Sequence, residues 1–250
     1  MPVACEPTLE PSPRKEHDEH PGPSRYARPP LALGGAWQAD LSPAGCGDLI
    51  ASALTALGLS DATLVGNDSG GAYSQIAVAS NPHRVARLVL NSCETPYSEF
   101  PPKPFDRLPT LAKDPDALGQ LFEALRDRAI RATPPAFGLL VKHPLEDIVS
   151  DSYALPCIND RAILLDAAKV VSSASSGPVQ AAGRSLIEEF KRPVLFAWSP
   201  EDQVFAPADA QRYSEALSDG RMVLIEDAYS FTPEDQPERL AEEIARFAGA

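Results

Sequence analysis

Residues 61–71 constrain the fold of this chain more than any other stretch. A short apolar, β-branched run at 62–66 is followed by the sequence Asn-Asp-Ser-Gly-Gly, and helix-like sequence begins at Ala72. This order predicts a strand, a sharp turn and a helix. Small residues on both sides of Asp68 let the backbone fold tightly, so the Asp68 side chain is held in a strained, exposed position at the carboxyl end of the strand.

The rest of the chain alternates between strand-like and helix-like segments. Short apolar runs predict further strands at 87–91, 193–198 and 222–225, and a helix is predicted over 207–217. Between Glu94 and Arg184 no segment reads as a strand, and proline-containing breaks separate several short helical stretches. Strands that alternate with helices predict a parallel sheet.

Two helices outside this central region carry clear sequence signals. Ser42 and Pro43 have the properties of an N-cap and a first helical residue, and Gly58 suits the C-terminal end of that helix. Its buried face is predicted from the spacing of apolar residues, and a final helix is predicted in the same way. The two predicted apolar stripes are Leu49, Ile50, Ala53, Leu54 and Leu57, and Leu240, Ile244 and Phe247.

The pattern Gly66-Asn67-Asp68-Ser69-Gly70 resembles the nucleophile elbow of the α/β-hydrolase family. It is most similar to the branch that reads G-x-D-x-G-G, which includes haloalkane dehalogenases and epoxide hydrolases. The resemblance implies an α/β fold, namely a partial α/β-hydrolase fold with a parallel sheet flanked by helices and an inserted helical cap. It also implies that Asp68 is the nucleophile and that the Ser69 backbone N–H is an oxyanion donor. Ser69 as nucleophile, or a chance turn that carries an aspartate, are the alternatives.

The same resemblance implies roles for two later segments. Asp202, just past a predicted strand, stands where the family has the acid that orients its catalytic histidine, and Glu201 is the neighbouring alternative. Ser230 stands where that histidine is expected. A serine hydroxyl cannot act as a general base near neutral pH. His143, in the predicted cap, is the remaining histidine that could face the pocket, because His83 falls at the opposite end of the sheet.

The resemblance implies a small, largely apolar substrate of the epoxide or ester class, and it implies no cofactor and no metal. Tyr153 in the cap is a predicted binding residue, with His143 as a second one. Dehalogenases have a tryptophan after the nucleophile, where this chain has Ser69, which argues against dehalogenation. The alternative is a catalytically impaired or truncated α/β-hydrolase-like protein with a binding role or none.

The resemblance also implies the domain organisation. It predicts a first part of the α/β core at 41–96, a helical cap at 97–185 and a second part of the core at 186–250. Independently of the resemblance, many prolines and few large apolar side chains predict a disordered tail at 1–40. The family has several strands before the elbow, for which this chain has little sequence. We therefore expect an N-terminally truncated sheet whose elbow strand has an exposed edge, through which the protein self-associates.

The composition and charge of the chain limit which molecules it is expected to bind. The net charge of −13 predicts a surface that repels nucleic acid and anionic membranes, and no run approaches the roughly 18 apolar residues of a membrane span. The N-terminus lacks the apolar region of a signal peptide. The four cysteines form neither a C-x-x-C pair nor a compact disulfide framework. We therefore predict a cytoplasmic protein with reduced cysteines and a small-molecule substrate.

Overall fold

The computed structural model describes residues 39–249. The predicted disordered tail at 1–40 lies almost wholly outside these described residues. Four strands form one parallel sheet in the order β1-β2-β3-β4. They are β1 Ala62–Asn67, β2 Val85–Asn91, β3 Val194–Trp198 and β4 Gly220–Leu224. The predicted parallel sheet is confirmed, and β4 begins two residues earlier than predicted because pairing with β3 extends beyond the apolar run.

Eleven α-helices are found in the described residues, and the α/β class is confirmed. They are α1 Pro43–Ala56, α2 Ser69–Ser80, α3 Leu108–Leu111, α4 Pro115–Ala124, α5 Arg128–Arg131, α6 Asp147–Asn159, α7 Arg161–Ser172, α8 Ser176–Glu189, α9 Pro207–Ala216, α10 Thr232–Asp235 and α11 Pro237–Ala248. Short 3-10 turns occur at Pro82–Arg84 and Lys103–Phe105. None of the helices described between 39 and 249 is long and apolar enough to cross a membrane.

The sheet is covered on both faces. One face packs against α1, α2, α8 and α9 through a large apolar cluster that includes Leu90, Phe196, Trp198, Leu186 and Tyr213. On the other face, Ala197 and Ile225 pack against Leu240 of α11, as the predicted terminal stripe requires. The ends of the parallel strands are thereby held firmly, which fixes the loops at the carboxyl edge of the sheet.

The predicted buried face of α1 is largely wrong. Ser42 caps the helix by accepting a hydrogen bond from the Gly45 N–H, as expected. Of the predicted stripe only Leu54 is deeply buried, and Leu57 is 72% exposed. The helix instead buries its small residues against α2, where a side chain at Gly47 would overlap Ile76. Close helix approach selects small residues, which apolar spacing alone does not reveal.

The region between β2 and β3 is helical, as predicted. Two small apolar cores hold it together, one around Leu118 and Leu164 and the other around Phe137 and Leu140. The last helix, α8, behaves differently, because it packs on α2 and contributes Leu186 to the main core. The expected end of the cap at 185 therefore falls within a helix that covers the sheet.

Strand β1 lies at one edge of the sheet. Among residues 39–249 it pairs with β2 and has no neighbour on its outer side. Val65 at the middle of this strand is 42% exposed. Asp68 follows this edge strand directly, so the elbow stands at the rim of the described sheet.

Candidate active site

The elbow at Asp68 is tightly constrained. Asp68 has φ 51° and ψ −135°, a strained conformation for a residue with a side chain, and it directly follows β1 and caps α2. A Cβ atom at Gly66 would lie 2.5 Å from the Gly70 carbonyl oxygen, and one at Gly71 would overlap Cys93. A Cβ atom at Gly70 would meet nothing. The close approach of strand and helix therefore requires glycine at 66 and 71, whereas Gly70, the middle glycine of the G-x-D-x-G-G pattern, has free space.

The two oxygens of the Asp68 carboxyl group have different surroundings. Oδ1 accepts hydrogen bonds from the Ser69 backbone N–H at 2.5 Å and from the Ser69 hydroxyl at 2.9 Å. Among the described residues none donates to Oδ2. The predicted oxyanion donor, the Ser69 N–H, thus already binds one oxygen of Asp68, and the other oxygen has no donor among the described residues.

Burial raises the pKa of Asp68 above its ordinary value. The hydrogen bonds from Ser69 act in the opposite direction and offset part of this shift, and the charge of Asp202 adds to it. The environment of Asp68 therefore favours its neutral form more than water does, although the helix N-terminus partly compensates.

Asp68 lines a cavity of about 200 Å³ beneath the helical insertion. The polar groups on its wall include Ser69, Tyr73 and Glu94. Apolar residues from the loop after β2 and from the insertion form most of the remainder, among them Phe100, Phe105, Leu108, Leu140 and Val171. A small apolar pocket with a few polar groups at one end is typical of a site for a small organic molecule.

Glu94 was missed by the sequence reasoning. It lies three residues after β2, it is only 1% exposed, and neither of its carboxyl oxygens has a hydrogen-bond partner. Burial raises its pKa well above the ordinary value, and the charge of Asp68 raises it further. An acidic residue just past a parallel strand was a usable signal, because the carboxyl ends of such strands meet at one edge of the sheet.

The structure brings Asp202 and Ser230 together. The Ser230 hydroxyl donates to Asp202 Oδ1 at 2.6 Å, and the same oxygen accepts the backbone N–H groups of Val204 and Phe205. Burial raises the pKa of Asp202, and these hydrogen bonds oppose the shift. Asp202 Oδ2 is buried without a partner, beside the likewise unpaired Ser92 hydroxyl. Glu201, the alternative acid, instead pairs with Lys142 at the surface.

A buried amide network links this pair to the elbow. Asn67, the residue before Asp68, donates to Asn91 Oδ1 at 2.9 Å and to the Ser230 carbonyl at 3.0 Å. Asn91 in turn donates to the Ala197 carbonyl and accepts from the Thr232 hydroxyl. The network joins the ends of three strands, so it fixes where Asp68 stands relative to Ser230.

The other predicted residues lie outside the cavity wall. Tyr153 packs among Phe137 and Phe231, and its hydroxyl donates to Glu234 at 2.6 Å. The His143 imidazole is exposed and lies 3.2 Å from Asp227, over a separate open cleft of about 800 Å³ that does not include Asp68. The structure therefore does not bring His143 to Asp68, because a surface contact with Asp227 holds its ring elsewhere.

The sequence matches the family model for the alpha/beta hydrolase fold over residues 46–237, which is most of the chain. This chain belongs to the α/β-hydrolase family. The structure agrees with this assignment, because it has the elbow, the parallel sheet and the helical insertion. Membership of this family identifies the chain as a hydrolase. A search of curated proteins finds no match for this hydrolase.

Solved structures show the same fold at low sequence identity. The epoxide hydrolase CorEH is 13% identical, with a TM-score of 0.66 over 84% of this chain and 75% of that one. The haloalkane dehalogenase DbeA from Bradyrhizobium elkani is 16% identical, with a TM-score of 0.65 over 86% and 76%. An esterase from Exiguobacterium antarcticum is 13% identical, with a TM-score of 0.61 over 84% and 75%. This hydrolase is thus similar in fold to enzymes with different named substrates.

Proposed function

We propose that this α/β-hydrolase uses Asp68 as its nucleophile and acts on a small, largely apolar epoxide or ester. One observation carries the proposal: Asp68 stands on a strained elbow with Oδ1 held by Ser69, while Oδ2 has no described donor and the residue lines an apolar cavity. A carboxylate fixed in this way has one oxygen available for attack.

The proposed reaction has two steps. Asp68 Oδ2 attacks a substrate carbon and forms an ester with the protein, since an ionised carboxylate needs no base to attack. Water then attacks the Asp68 carbonyl carbon, and negative charge develops on Oδ1. The Ser69 N–H and hydroxyl already point at that atom, which supports a role for Ser69 in stabilising the developing charge.

The cavity limits the substrate's size. An apolar protein cavity of about 150 Å³ accommodates benzene, and this one measures about 200 Å³. A substrate with one small ring or a short alkyl chain fits such a space. An epoxide hydrolase is among the proteins of similar fold, while Ser69 in place of a tryptophan argues against a halide-releasing reaction.

We propose a different end for the helical cap than the predicted residue 185. We infer that the cap consists of the insertion up to the end of α7 and that α8 belongs to the core, because α8 packs on α2. The predicted N-terminal truncation stays a prediction.

A second candidate function is ligand binding without turnover. It is favoured by Ser230, which occupies the position of the expected base and is hydrogen-bonded to Asp202. Under this alternative the cavity binds a small apolar molecule that Asp68 never attacks.

Intact-protein mass spectrometry tests the proposed nucleophile. We expect incubation with styrene oxide to give an ester on Asp68 or catalytic diol formation, and Asp68→Asn to lose both, with a rate at least about 10⁴-fold lower. Asp48→Asn, which changes an exposed carboxyl on α1, is the matched control and should behave like the unmodified protein.

Peptide mapping separates the alternatives. An adduct on Ser69, formed from styrene oxide or p-nitrophenyl acetate, would reassign the nucleophile to that residue. Saturable binding of styrene oxide without adduct or product would favour the non-catalytic function.

A further inference from the structure

The cavity holds a second carboxyl group whose position no structural role explains. Glu94 is almost completely buried, and both of its oxygens lack hydrogen-bond partners, although a buried polar group ordinarily has one. Its main chain is well fixed, because the Gln75 side chain donates to the Glu94 carbonyl at 2.7 Å. Glu94 is thus firmly placed at the cavity with an unoccupied carboxyl group.

Asp68 and Glu94 follow neighbouring strands at the same edge of the sheet. Asn67 and Asn91, the last residues of β1 and β2, pair in register, and both carboxyl-bearing residues line the cavity of about 200 Å³. Both residues thus adjoin one small cavity, and the charge of Asp68 raises the pKa of Glu94, as expected for two carboxyl groups that lie near each other. Two carboxyl groups in one apolar site do not both ionise readily, because like charges repel in a medium of low dielectric constant.

The structure assigns the single proton of this pair to Glu94. Burial raises the pKa of Glu94 well above its ordinary value, whereas the increase at Asp68 is opposed by two hydrogen bonds from Ser69. Glu94 has no comparable side-chain donor among the described residues. The resting site therefore contains an ionised Asp68 and a neutral Glu94, which are a nucleophile and an acid.

We propose that Glu94 is the acid and the base of this hydrolase, and that it replaces the histidine whose position Ser230 occupies. This inference rests on the proposed function, since it requires the ester on Asp68. It assigns an epoxide as the substrate class, because opening an epoxide needs both a nucleophile and a proton donor.

In the first step, Asp68 Oδ2 forms a bond to an epoxide carbon and the ring C–O bond breaks. The released electron pair stays on the oxygen, which takes the proton of Glu94. Glu94 is then a carboxylate beside a neutral ester. One proton has moved, and the site keeps its single negative charge.

In the second step, the Glu94 carboxylate takes a proton from water as the water oxygen bonds to the Asp68 carbonyl carbon. Charge develops on Oδ1, next to the Ser69 donors. The bond from that carbon to Oδ2 then breaks, and the diol oxygen takes the proton from Glu94. The regenerated Asp68 carboxyl group finally returns a proton to Glu94, so the pair ends as it began.

Tyr73, the other acidic group on the cavity wall, does not meet both requirements. Burial raises the pKa of its phenol, which therefore stays neutral and cannot accept a proton from water in the second step. Asp202 does not line this cavity, and Ser230, Val204 and Phe205 donate to its Oδ1. Glu94 is the cavity group that can both donate and accept a proton.

Glu94→Gln tests the assignment, because it keeps the shape and removes the exchangeable proton. With styrene oxide, we expect ester formation on Asp68 to slow by about 100-fold or more. After the epoxide is removed, the ester that has formed should persist at least about 100-fold longer than one turnover of the unmodified protein takes. Glu201→Gln, a surface change in the Lys142 pair, should leave both rates unchanged.

The pH dependence of ester formation and ester hydrolysis distinguishes a role of Glu94 in proton transfer from a merely structural role. Ester formation should slow as pH rises through the pKa of Glu94, and ester hydrolysis should accelerate over the same range. The titratable groups that face Glu94 are Asp68, Tyr73 and Cys93, and the insertion contributes apolar residues to this wall. Both dependences should disappear in Glu94→Gln and be kept, at lower rates, in Glu94→Asp.

The possible failures are distinguishable. Turnover by Glu94→Gln within about threefold of the unmodified protein would overturn the role of Glu94 and leave Asp68 as nucleophile. Absence of any Asp68 ester and any diol in all variants, with cooperative thermal unfolding retained, would overturn the proposed function and this inference together.

Discussion

Two regions at the carboxyl edge of the sheet hold buried carboxyl groups in different ways. Asp202 accepts three hydrogen bonds through one oxygen, from Ser230, Val204 and Phe205. Glu94 accepts none, and Asp68 has one oxygen bonded and the other without a described donor. Burial raises the pKa of all three groups. The difference teaches that burial alone does not mark a reactive group. Asp202 also has an unpaired oxygen but lies outside the cavity wall, whereas Asp68 and Glu94 line the same cavity, which is why we propose that these two exchange a proton.

The largest expected effect on stability is at Asp202. Asp202→Ala leaves one hydroxyl and two backbone N–H groups without their acceptor, which should cost about 3 kcal/mol of unfolding free energy. Asp202→Asn keeps an oxygen for those donors and should cost less than about 1 kcal/mol. Thermal unfolding should show a melting temperature about 6 to 12 °C lower for the alanine variant. Equal losses in both variants would mean that the charge of Asp202, not its hydrogen bonds, stabilises this region.

The contribution of Glu94 to the stability of the folded protein should depend on pH. Its folded pKa lies above the unfolded value, so the folded protein retains a proton that the unfolded chain loses as pH rises from about 4.5. Stability contributed by the neutral form is therefore full below the unfolded pKa and is lost as pH rises to the folded pKa, by up to about 1.4 kcal/mol per pH unit. Glu94→Gln removes this dependence.

Melting temperatures measured from pH 4 to pH 9 check this prediction. The difference between Glu94→Gln and the unmodified protein should shift in favour of the variant as pH rises. Glu201→Gln, at an exposed carboxyl, is the control and should show a nearly constant difference. A difference for Glu94→Gln that is also independent of pH would mean that Glu94 ionises as readily in the folded protein as in the unfolded chain.

The smallest expected effect on stability concerns the strands that precede Asp68 and Asp202. Asp68 follows the edge strand β1, while Asp202 follows the inner strand β3. We expect the protein to self-associate through the β1 edge, and Val65→Lys to prevent this, because a lysine on an edge strand disfavours pairing. The free energy of unfolding should change by less than about 0.5 kcal/mol.

Size-exclusion chromatography with light scattering checks the association. Leu224→Lys introduces the same charge on the opposite edge strand, where Leu224 is 50% exposed, and should leave association unchanged. A monomeric unmodified protein would show that the β1 edge is not used.

The sequence by itself determined the fold class and the elbow. Short apolar runs that alternate with helices predicted the parallel sheet, and the small residues around Asp68 predicted the turn that strains it. These features are local, because they depend on propensity and backbone space within a few residues. The family resemblance placed Asp202 and Ser230 after neighbouring strands, but their hydrogen bond is a finding of the structure.

Only the tertiary structure decided the buried face of α1, the position of His143 and the environment of Glu94. The buried face of α1 depends on how closely α2 approaches it, which the apolar residues of one helix do not report. His143 is held by Asp227, a residue 84 positions away. The position of Glu94 just past a strand can be recognised in the sequence, but its burial without a hydrogen-bond partner is decided by the fold. A carboxyl group's protonation depends on the groups that surround it in space, and the sequence does not give those surroundings.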